Sequence, residues 1–448
     1  MKNMKRTMMT MFILLLTTLM YGQKKWTLQE CIDYAMQNNI TLQQARLKKQ
    51  SATEDKKQSQ AALFPSLSAS TNQSVGYRPW QSSGIATVSN GMVGTSVKKT
   101  YYNGTYGINA SWTVWNGNQN RNQVKLNEVS EEQAELSIAE TANSIQEKIA
   151  QLYVQILYMD EAIKVNKESV ETSKKNEERG KEIVEVGKMS KADLAQLTAQ
   201  RASDEYTLVE SESKLANYKL QLKQLLEITG DEPFDIAIPA TTDEQALAEI
   251  PSLGSVYETA LSFRPEIQNS ELSLKSSDLQ MKIAKAGHLP TLSMTGGLGT
   301  STASTNTNEW GSQMKTNFDA SLGASISIPI FDNRKTKTAI NKAKIQREQA
   351  LLDILDKQKQ LYSTIEGFWL DANTNQEKFK AAMVAVASEQ ESYNLLSEQF
   401  NVGLKNIVEL LTGKDKLLAA QQSRLQSKYM TILDQQLLRF YKGEDMSL

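Results

Sequence analysis

The chain carries one long motif twice, and this repeat limits its fold more than any single residue does. Asn38–Ser68 (NNITLQQARLKKQSATEDKKQSQAALFPSLS) aligns without a gap on Phe263–Ser293 (FRPEIQNSELSLKSSDLQMKIAKAGHLPTLS), at an offset of 225 residues. Phe64-Pro65 falls on Leu289-Pro290. Further along, Val114-Trp115-Asn116 matches Ile330-Phe331-Asp332 and Val186-Gly187 matches Val402-Gly403, now at an offset of 216. The difference, 225 − 216 = 9, is taken up by a longer loop in the first half. A repeat of this kind, mixing strand-like and helical stretches, points to one pseudo-symmetric body. The bare length of 448 residues would otherwise suggest about three domains. Neither half holds enough strands to close a sheet alone.

Bulk properties exclude several classes. A net charge of −1 gives no global field that would favour nucleic acid. The mean hydropathy of −0.45 is too polar for a helical membrane protein. Lys2, Lys5 and Arg6, followed by the apolar run Met11–Met20, read as an export signal over 1–22, with cleavage near Gly22-Gln23. Cys31 is the one cysteine, so no disulfide scaffold is expected in an exported chain. Beyond residue 22 no apolar run approaches ~18 residues, so membrane entry would take the form of a β-barrel.

Four stretches carry the pattern of barrel strands. In 317–330 (NFDASLGASISIPI), Phe318, Ala320, Leu322, Ala324, Ile326, Ile328 and Ile330 alternate with mostly small polar residues. Residues 106–115 do the same, with Tyr106, Ile108, Ala110, Trp112 and Val114 on one face. Weaker, glycine-dotted strands are read around Leu67, Ala69, Val75 and Tyr77, and around Leu292, Met294 and Leu298. The Gly296-Gly297-Leu298-Gly299 cluster is read as small residues facing a lumen. A spanning strand needs ~9–11 residues with an apolar lipid face and a polar lumen face. Aromatics gather at both strand ends: Phe64, Trp112, Trp115 and Phe331 at one, Tyr77, Trp80, Tyr101, Tyr102 and Trp310 at the other. Loops 79–99 and 301–315 lack helical periodicity and suit an exterior surface. Four strands leave two open edges, which hydrocarbon does not tolerate, so the edges must meet other copies of the chain.

The remaining sequence is helical. No proline or glycine occurs from Asn118 to Arg179, and only Gly367 interrupts Asn333–Gln399. Ile145, Ile149, Leu152, Ile156, Met159 and Ile163 recur in the alternating four-and-three spacing of a coiled-coil seam. Leu404, Leu411, Leu418, Leu425 and Ile432 stand seven apart. In the first half Leu194, Leu208, Leu215 and Leu222 repeat that beat, with Arg201 in the gap. Val186-Gly187 and Val402-Gly403 mark the tips of helical hairpins, with glycine where the backbone needs φ > 0. The expected organisation is a signal (1–22), a first repeat (23–227), a proline-broken linker or equatorial belt (228–262), a second repeat (263–442) and a short tail (443–448). The fold class is thus mixed α/β membrane protein: four strands per chain and long coiled-coil helical hairpins.

These features together resemble the TolC-like outer-membrane efflux channel family, over the whole mature chain. They are the tandem repeat, LQECIDYAMQNN near the N-terminus, FRPEI at Phe263–Ile267, the Phe-Pro and Leu-Pro strand entries, and the turns VGKMSKADL and VGLKNIVELL. The resemblance implies a homotrimer with a twelve-strand outer-membrane barrel and a periplasmic helical tunnel. It implies an exit duct for drugs or other solutes, docked to a periplasmic membrane-fusion adaptor and to an inner-membrane transporter of the resistance-nodulation-division or ABC type. Type I protein secretion is the alternative cargo route, and a periplasmic coiled-coil scaffold or adaptor the alternative class. The resemblance places a periplasmic gate at Glu409, Thr412, Lys405, Asp193 and Phe400, and adaptor contacts at Val186, Gly187, Val402 and Gly403. Glu409 keeps the family's first ring acid, whereas Thr412 replaces the second. Lys405 and Asp193 occupy the positions of a closing arginine–aspartate bond, and Phe400 replaces a tyrosine. No catalytic constellation is visible. With a lone His288 and a lone Cys31, neither a metal site nor a cofactor is expected.

Overall fold

The computed structural model describes residues 25–80, 83–88, 91–96, 98–230, 234–306 and 308–447. The expected signal (1–22), its cleavage point and Pro233 lie outside the described residues. The elements run β1 (Lys25–Trp26), α1 (Leu28–Asn38), α2 (Ile40–Ala61), β2 (Ser66–Tyr77), β3 (Ser83–Val88), β4 (Gly91–Ser96), β5 (Thr100–Trp115), α3 (Gln119–Glu185) and α4 (Lys191–Leu225). Then follow β6 (Asp235–Ile236), α5 (Asp243–Ala246), α6 (Leu253–Phe263), α7 (Pro265–Ala286), β7 (Thr291–Ala303), α8 (Trp310–Thr316), β8 (Asp319–Ser327), α9 (Lys335–Asn401) and α10 (Ile407–Tyr441). Helices α3 and α9 each have 67 residues, and α4 and α10 each have 35.

Both long helices begin the same way. Gly117 and Asn118 adopt φ of 67° and 64°, and Asn333 and Arg334 adopt 50° and 67°. These left-handed pairs turn the chain out of the sheet and into the helix. Arg334 does so without a glycine's freedom, a conformation uncommon for an L-residue. One residue earlier a side chain closes the turn: Asn120 N donates to Asn116 Oδ1 at 3.2 Å, and Thr336 N to Asp332 Oδ2 at 2.8 Å.

The chain divides into two compact units. The first contains the described residues up to Leu47 together with Leu136–Asn269 and Ile354–Leu448. Its core joins Cys31, Ile32 and Ala35 of α1 to Ile149, Tyr153 and Ile156 of α3, Leu222 of α4, Val256 and Ala260 of α6, Ile365 of α9 and Leu437 of α10. The 228–262 segment supplies β6, which pairs in parallel with β1. Tyr153 Oη donates to Ala237 O at 2.5 Å and so fastens that segment to α3. Burial holds the Tyr153 phenol far above its ordinary range, protonated and able to donate. The FRPEI motif is a helix junction. Arg264 is extended between α6 and α7, Pro265 opens α7 as a first-turn proline can, and the guanidinium sits 4.2 Å above the Tyr441 ring.

The second unit contains Lys48–Glu135 and Ser270–Asp353. Its sheet has the order β2-β5-β7-β8 with every neighbour antiparallel, and β3-β4 forms a separate hairpin. Four details depart from the sequence expectations. The last strand spans Asp319–Ser327 rather than 317–330, because Ser327 already faces Thr291, the first residue of its partner, and Pro329 has no N–H to donate. The second strand starts at Thr100, six residues before the alternation becomes visible. The 301–315 loop contains helix α8, whose buried Gln313 accepts a bond from Ala303 N at 2.8 Å. Gly296 and Gly297 lie on opposite faces: a Cβ on Gly297 would sit 3.2 Å from Ser321 Oγ, one on Gly296 3.8 Å from Leu322 Cδ1.

A β-bulge between Thr113 and Trp115 makes Trp115 the partner of Leu292. Strict alternation would have put Trp115 on the polar face. The extra residue returns it to the apolar one.

Candidate functional site

Two surfaces are candidates for the functional chemistry. The first is the sheet. Leu67, Ile108, Ala110, Leu298, Ala320 and Leu322 line one face, and Ser70, Thr105, Asn109, Asp319 and Ser321 the other. The apolar side chains are uncovered in the single chain: Leu67 is 76% exposed, Leu322 81% and Ile326 68%. A contiguous apolar surface of this kind marks an interaction with lipid or protein. Strands β2 and β8 are paired on one side only, so both sheet edges are open.

The second surface is the pair of hairpin tips in the first unit. Helix α3 ends in a Schellman turn, with Lys188 N donating to Ile183 O and Gly187 N to Val184 O; Gly187 has φ 72°. Helix α9 ends identically, with Leu404 N on Gln399 O, Gly403 N on Phe400 O and φ 79° at Gly403. Each return helix opens with a capping box, Ser190/Asp193 for α4 and Asn406/Glu409 for α10. The two tips pack through Leu197, Ile407 and Leu410, with Met189, Phe400 and Leu411 around them. Val186, Asp193, Phe400, Val402, Gly403 and Lys405 line a groove of ≈ 680 Å³ between them.

The gate residues expected from the resemblance all lie here, with partners that the resemblance did not indicate. Glu409 accepts from Asn406 N at 3.1 Å and from Lys405 Nζ at 2.6 Å. These bonds, that of Lys405 foremost, hold its carboxyl below the ordinary range. Asp193 accepts from Ser190 Oγ at 2.8 Å. Within one chain Lys405 therefore faces Glu409 rather than Asp193. Thr412 is exposed, and Phe400 is half-buried against the tip cluster. The S-x-x-D and N-x-x-E patterns were readable as capping boxes, and Asp193 and Glu409 stand 216 residues apart, at equivalent repeat positions.

A knob-and-hole contact near each tip is exchanged between the hairpins. In the first, Gly180 of α3 admits Leu197 of α4: a Cβ on Gly180 would lie 2.5 Å from Leu197 Cδ1. In the second, Leu396 of α9 fills the space above Gly413 of α10, where a Cβ would lie 2.6 Å from Leu396 Cδ1. We expect Gly180→Val to destabilise the first hairpin by about 1–3 kcal/mol through overpacking. Thermal melting followed by circular dichroism checks it, and a Tm unchanged from the parent contradicts it.

The residues spaced by seven are only in part the buried stripe: Ile432 of α10 and Leu222 of α4 are buried, whereas Leu404, just before α10, is 75% exposed and Leu411, Leu418 and Leu425 are half-buried. In the tip-side half of α10 the buried residues include Ile407, Leu410, Lys414 and Leu417, and in α4 Leu197, Asp204 and Ser211 as well as Leu222. Lys414 pairs with Asp204, which also accepts from Ser173 Oγ of α3 and from Gln200 Nε2 at 3.1 Å. Asn166 donates to Ser211 Oγ at 2.8 Å and accepts from Gln422 Nε2 at 2.9 Å. The seam is apolar through Ile163 of α3, turns polar at Asn166, Asp204, Ser211 and Lys414, and is apolar again in the tip cluster. The leucine count missed this because charged residues become seam residues only when their partners arrive from another helix.

Among the described residues no helix is long and apolar enough to cross a membrane, and no group of side chains could hold a metal ion. The family model described as "Outer membrane efflux protein" matches this chain over residues 31–227 and again over 256–444. The chain is 22% identical to the outer membrane efflux protein BepC of Brucella suis over 424 residues, covering 94% of this chain and 86% of that protein. Its fold matches a CusC structure with a TM-score of 0.80 at 18% identity, covering 95% of this chain and 96% of that one. It also matches VceC of Vibrio cholerae with a TM-score of 0.77 at 17% identity, over 94% and 97% of the two chains. The two matched regions contain the strand pairs and helical hairpins just described: the chain belongs to the outer membrane efflux protein family, resides in the outer membrane and is not an enzyme.

Proposed function

We propose that three copies of this chain close a twelve-strand barrel, continued by a periplasmic helical tunnel, and that the trimer is the passive exit duct of a tripartite efflux pump. The observation that carries this reading is the sheet. It has one apolar and exposed face, one polar face and two unpaired edges. In hydrocarbon an open edge leaves backbone groups unsatisfied, so closure has to come from other copies. Three sets of four strands fall within the size range of barrels with a lumen. The name of BepC, an efflux protein, supports solutes as cargo. A periplasmic membrane-fusion adaptor would meet the tips, where Val186 is 68% exposed and Val402 71%, beside Gly187 and Gly403. An inner-membrane transporter of the resistance-nodulation-division or ABC type would supply the energy. The test is native mass after mild detergent extraction. A trimer from the outer-membrane fraction supports the reading, and a monomer or dimer overturns it.

The gate in this reading is the ring of Glu409, with Lys405, Asp193, Thr412 and Phe400 around it. Three copies of Glu409 would favour cations at the constriction. Because Lys405 bonds to Glu409, removing the acid uncovers a lysine, so the variant ring is more positive than a neutral one. Glu409→Gln retains a side chain suited to the capping box while deleting the charge. We expect a several-fold fall in cation-over-anion permeability in bilayer recordings at low salt. Unchanged selectivity would remove Glu409 from the gate.

A further inference from the structure

We propose that the ends of α3 and α7 nearest the sheet form a binding site for anionic phospholipid headgroups. Gly117, Asn118, Arg121, Asn122 and Lys125 lie on one side of a groove of ≈ 500 Å³, and Lys282, Lys285, Ala286 and Leu289 on the other. Four of these nine residues are cationic and none is a carboxylate. All four cations are exposed.

What sets the groove apart is the gathering of four cations with no carboxylate in its lining. Farther along the same helix bundle several cations are neutralised, Lys275 by Glu132 at 3.4 Å, Lys56 by Glu131 at 3.0 Å and Arg347 by Asp278 at 2.7 Å. Among the described residues, Arg121, Lys125, Lys282 and Lys285 have no acidic partner. Unpaired like charges gathered in one groove repel, and an external anion relieves that repulsion. The groove also adjoins the end of the apolar sheet face. Leu289 lines it, and Trp115, which the bulge turns to the apolar side opposite Leu292, lies two residues from Gly117. A ligand matching both features has a phosphate for the cations and acyl chains for the adjoining apolar surface.

This inference rests on the sheet lying in the outer membrane as part of a trimeric barrel. The groove then falls at the headgroup level of the periplasmic leaflet, so the occupant is a phospholipid of that leaflet and not a soluble anion.

The experiment uses the full trimer in neutral detergent, titrated with phosphatidylglycerol, phosphatidylethanolamine and inorganic phosphate, with occupancy read by native mass spectrometry. Phosphatidylglycerol should bind at least about tenfold more tightly than phosphatidylethanolamine. The variant Arg121→Gln/Lys125→Gln/Lys282→Gln/Lys285→Gln should lose that preference, and Lys125→Arg/Lys282→Arg/Lys285→Arg should keep it. Equal affinity for the two lipids, or retained preference in the glutamine variant, overturns the proposal. Phosphate competing at millimolar concentration would show a soluble-anion site and overturn the lipid assignment. If the glutamine variant does not assemble, single Lys125→Gln and Lys282→Gln variants must each weaken phosphatidylglycerol binding several-fold, and no change overturns it. Failure of the parent to appear as a trimer would strike at the duct reading instead.

Discussion

Lys414→Met is expected to destabilise the helical hairpins by about 3–5 kcal/mol, because it leaves a buried carboxylate without its cation. Lys414 and Asp204 are 4% and 5% exposed, on α10 and α4 respectively. Ser173 and Gln200 would still donate to Asp204, which puts the loss towards the lower end of the range. The double variant Asp204→Leu/Lys414→Met removes both charges and should recover most of the stability, since a buried pair is often no better than a well-packed apolar one. Chemical denaturation of the detergent-solubilised protein, followed by helical circular dichroism, separates the three forms. A Lys414→Met loss under about 1 kcal/mol would mean that water reaches the pair and screens it.

The second large effect concerns pH. Asp434 on α10 is buried, accepts from Asn375 Nδ2 at 3.0 Å and lies near Asp371. Burial foremost, with Asp371 adding to it, pushes its pKa from 3.8 up to about 7. The folded protein therefore holds a proton on Asp434 that the unfolded chain has released between about pH 4 and pH 7. Stability from this group is fully present below about pH 4 and is lost as pH rises through about 7. At about 1.4 kcal/mol per pH unit the swing is of the order of 4 kcal/mol. Asp434→Asn keeps an acceptor for Asn375 and cannot ionise. It should match the parent near pH 4 and exceed it by about 2–4 kcal/mol at pH 8. Parallel stability profiles for parent and variant across that interval would show that Asp434 is ionised in the folded protein.

The parts of the fold visible in the sequence are those governed by local periodicity. Alternation located β8 to within three residues at its C-terminal end, and glycine at Gly187 and Gly403 marked both hairpin turns. The buried stripe Ile145–Ile163 was readable because each of its members is apolar, and all but Leu152 are buried. What stayed hidden depends on partners distant in the chain. Trp115 changes face through a bulge that exists only against β7. Lys414 looks like a surface lysine until Asp204, 210 residues away, is placed beside it. Asp193 and Glu409 were legible as acids near turns, and their capping roles lie in the four-residue patterns Ser190–Asp193 and Asn406–Glu409.

The exchanged contact at Gly180–Leu197 and Leu396–Gly413 gives the two halves an address. A hairpin built from α3 and α10 would set glycine against glycine and leave a void. One built from α9 and α4 would set leucine against leucine. Each mismatch is unfavourable, the first by lost contacts and the second by about 1–3 kcal/mol of steric strain. The short turns at Gly187 and Gly403 already join each helix to its own return partner, and the exchanged contact adds a penalty against the other pairings of helices whose lengths and turns are the same.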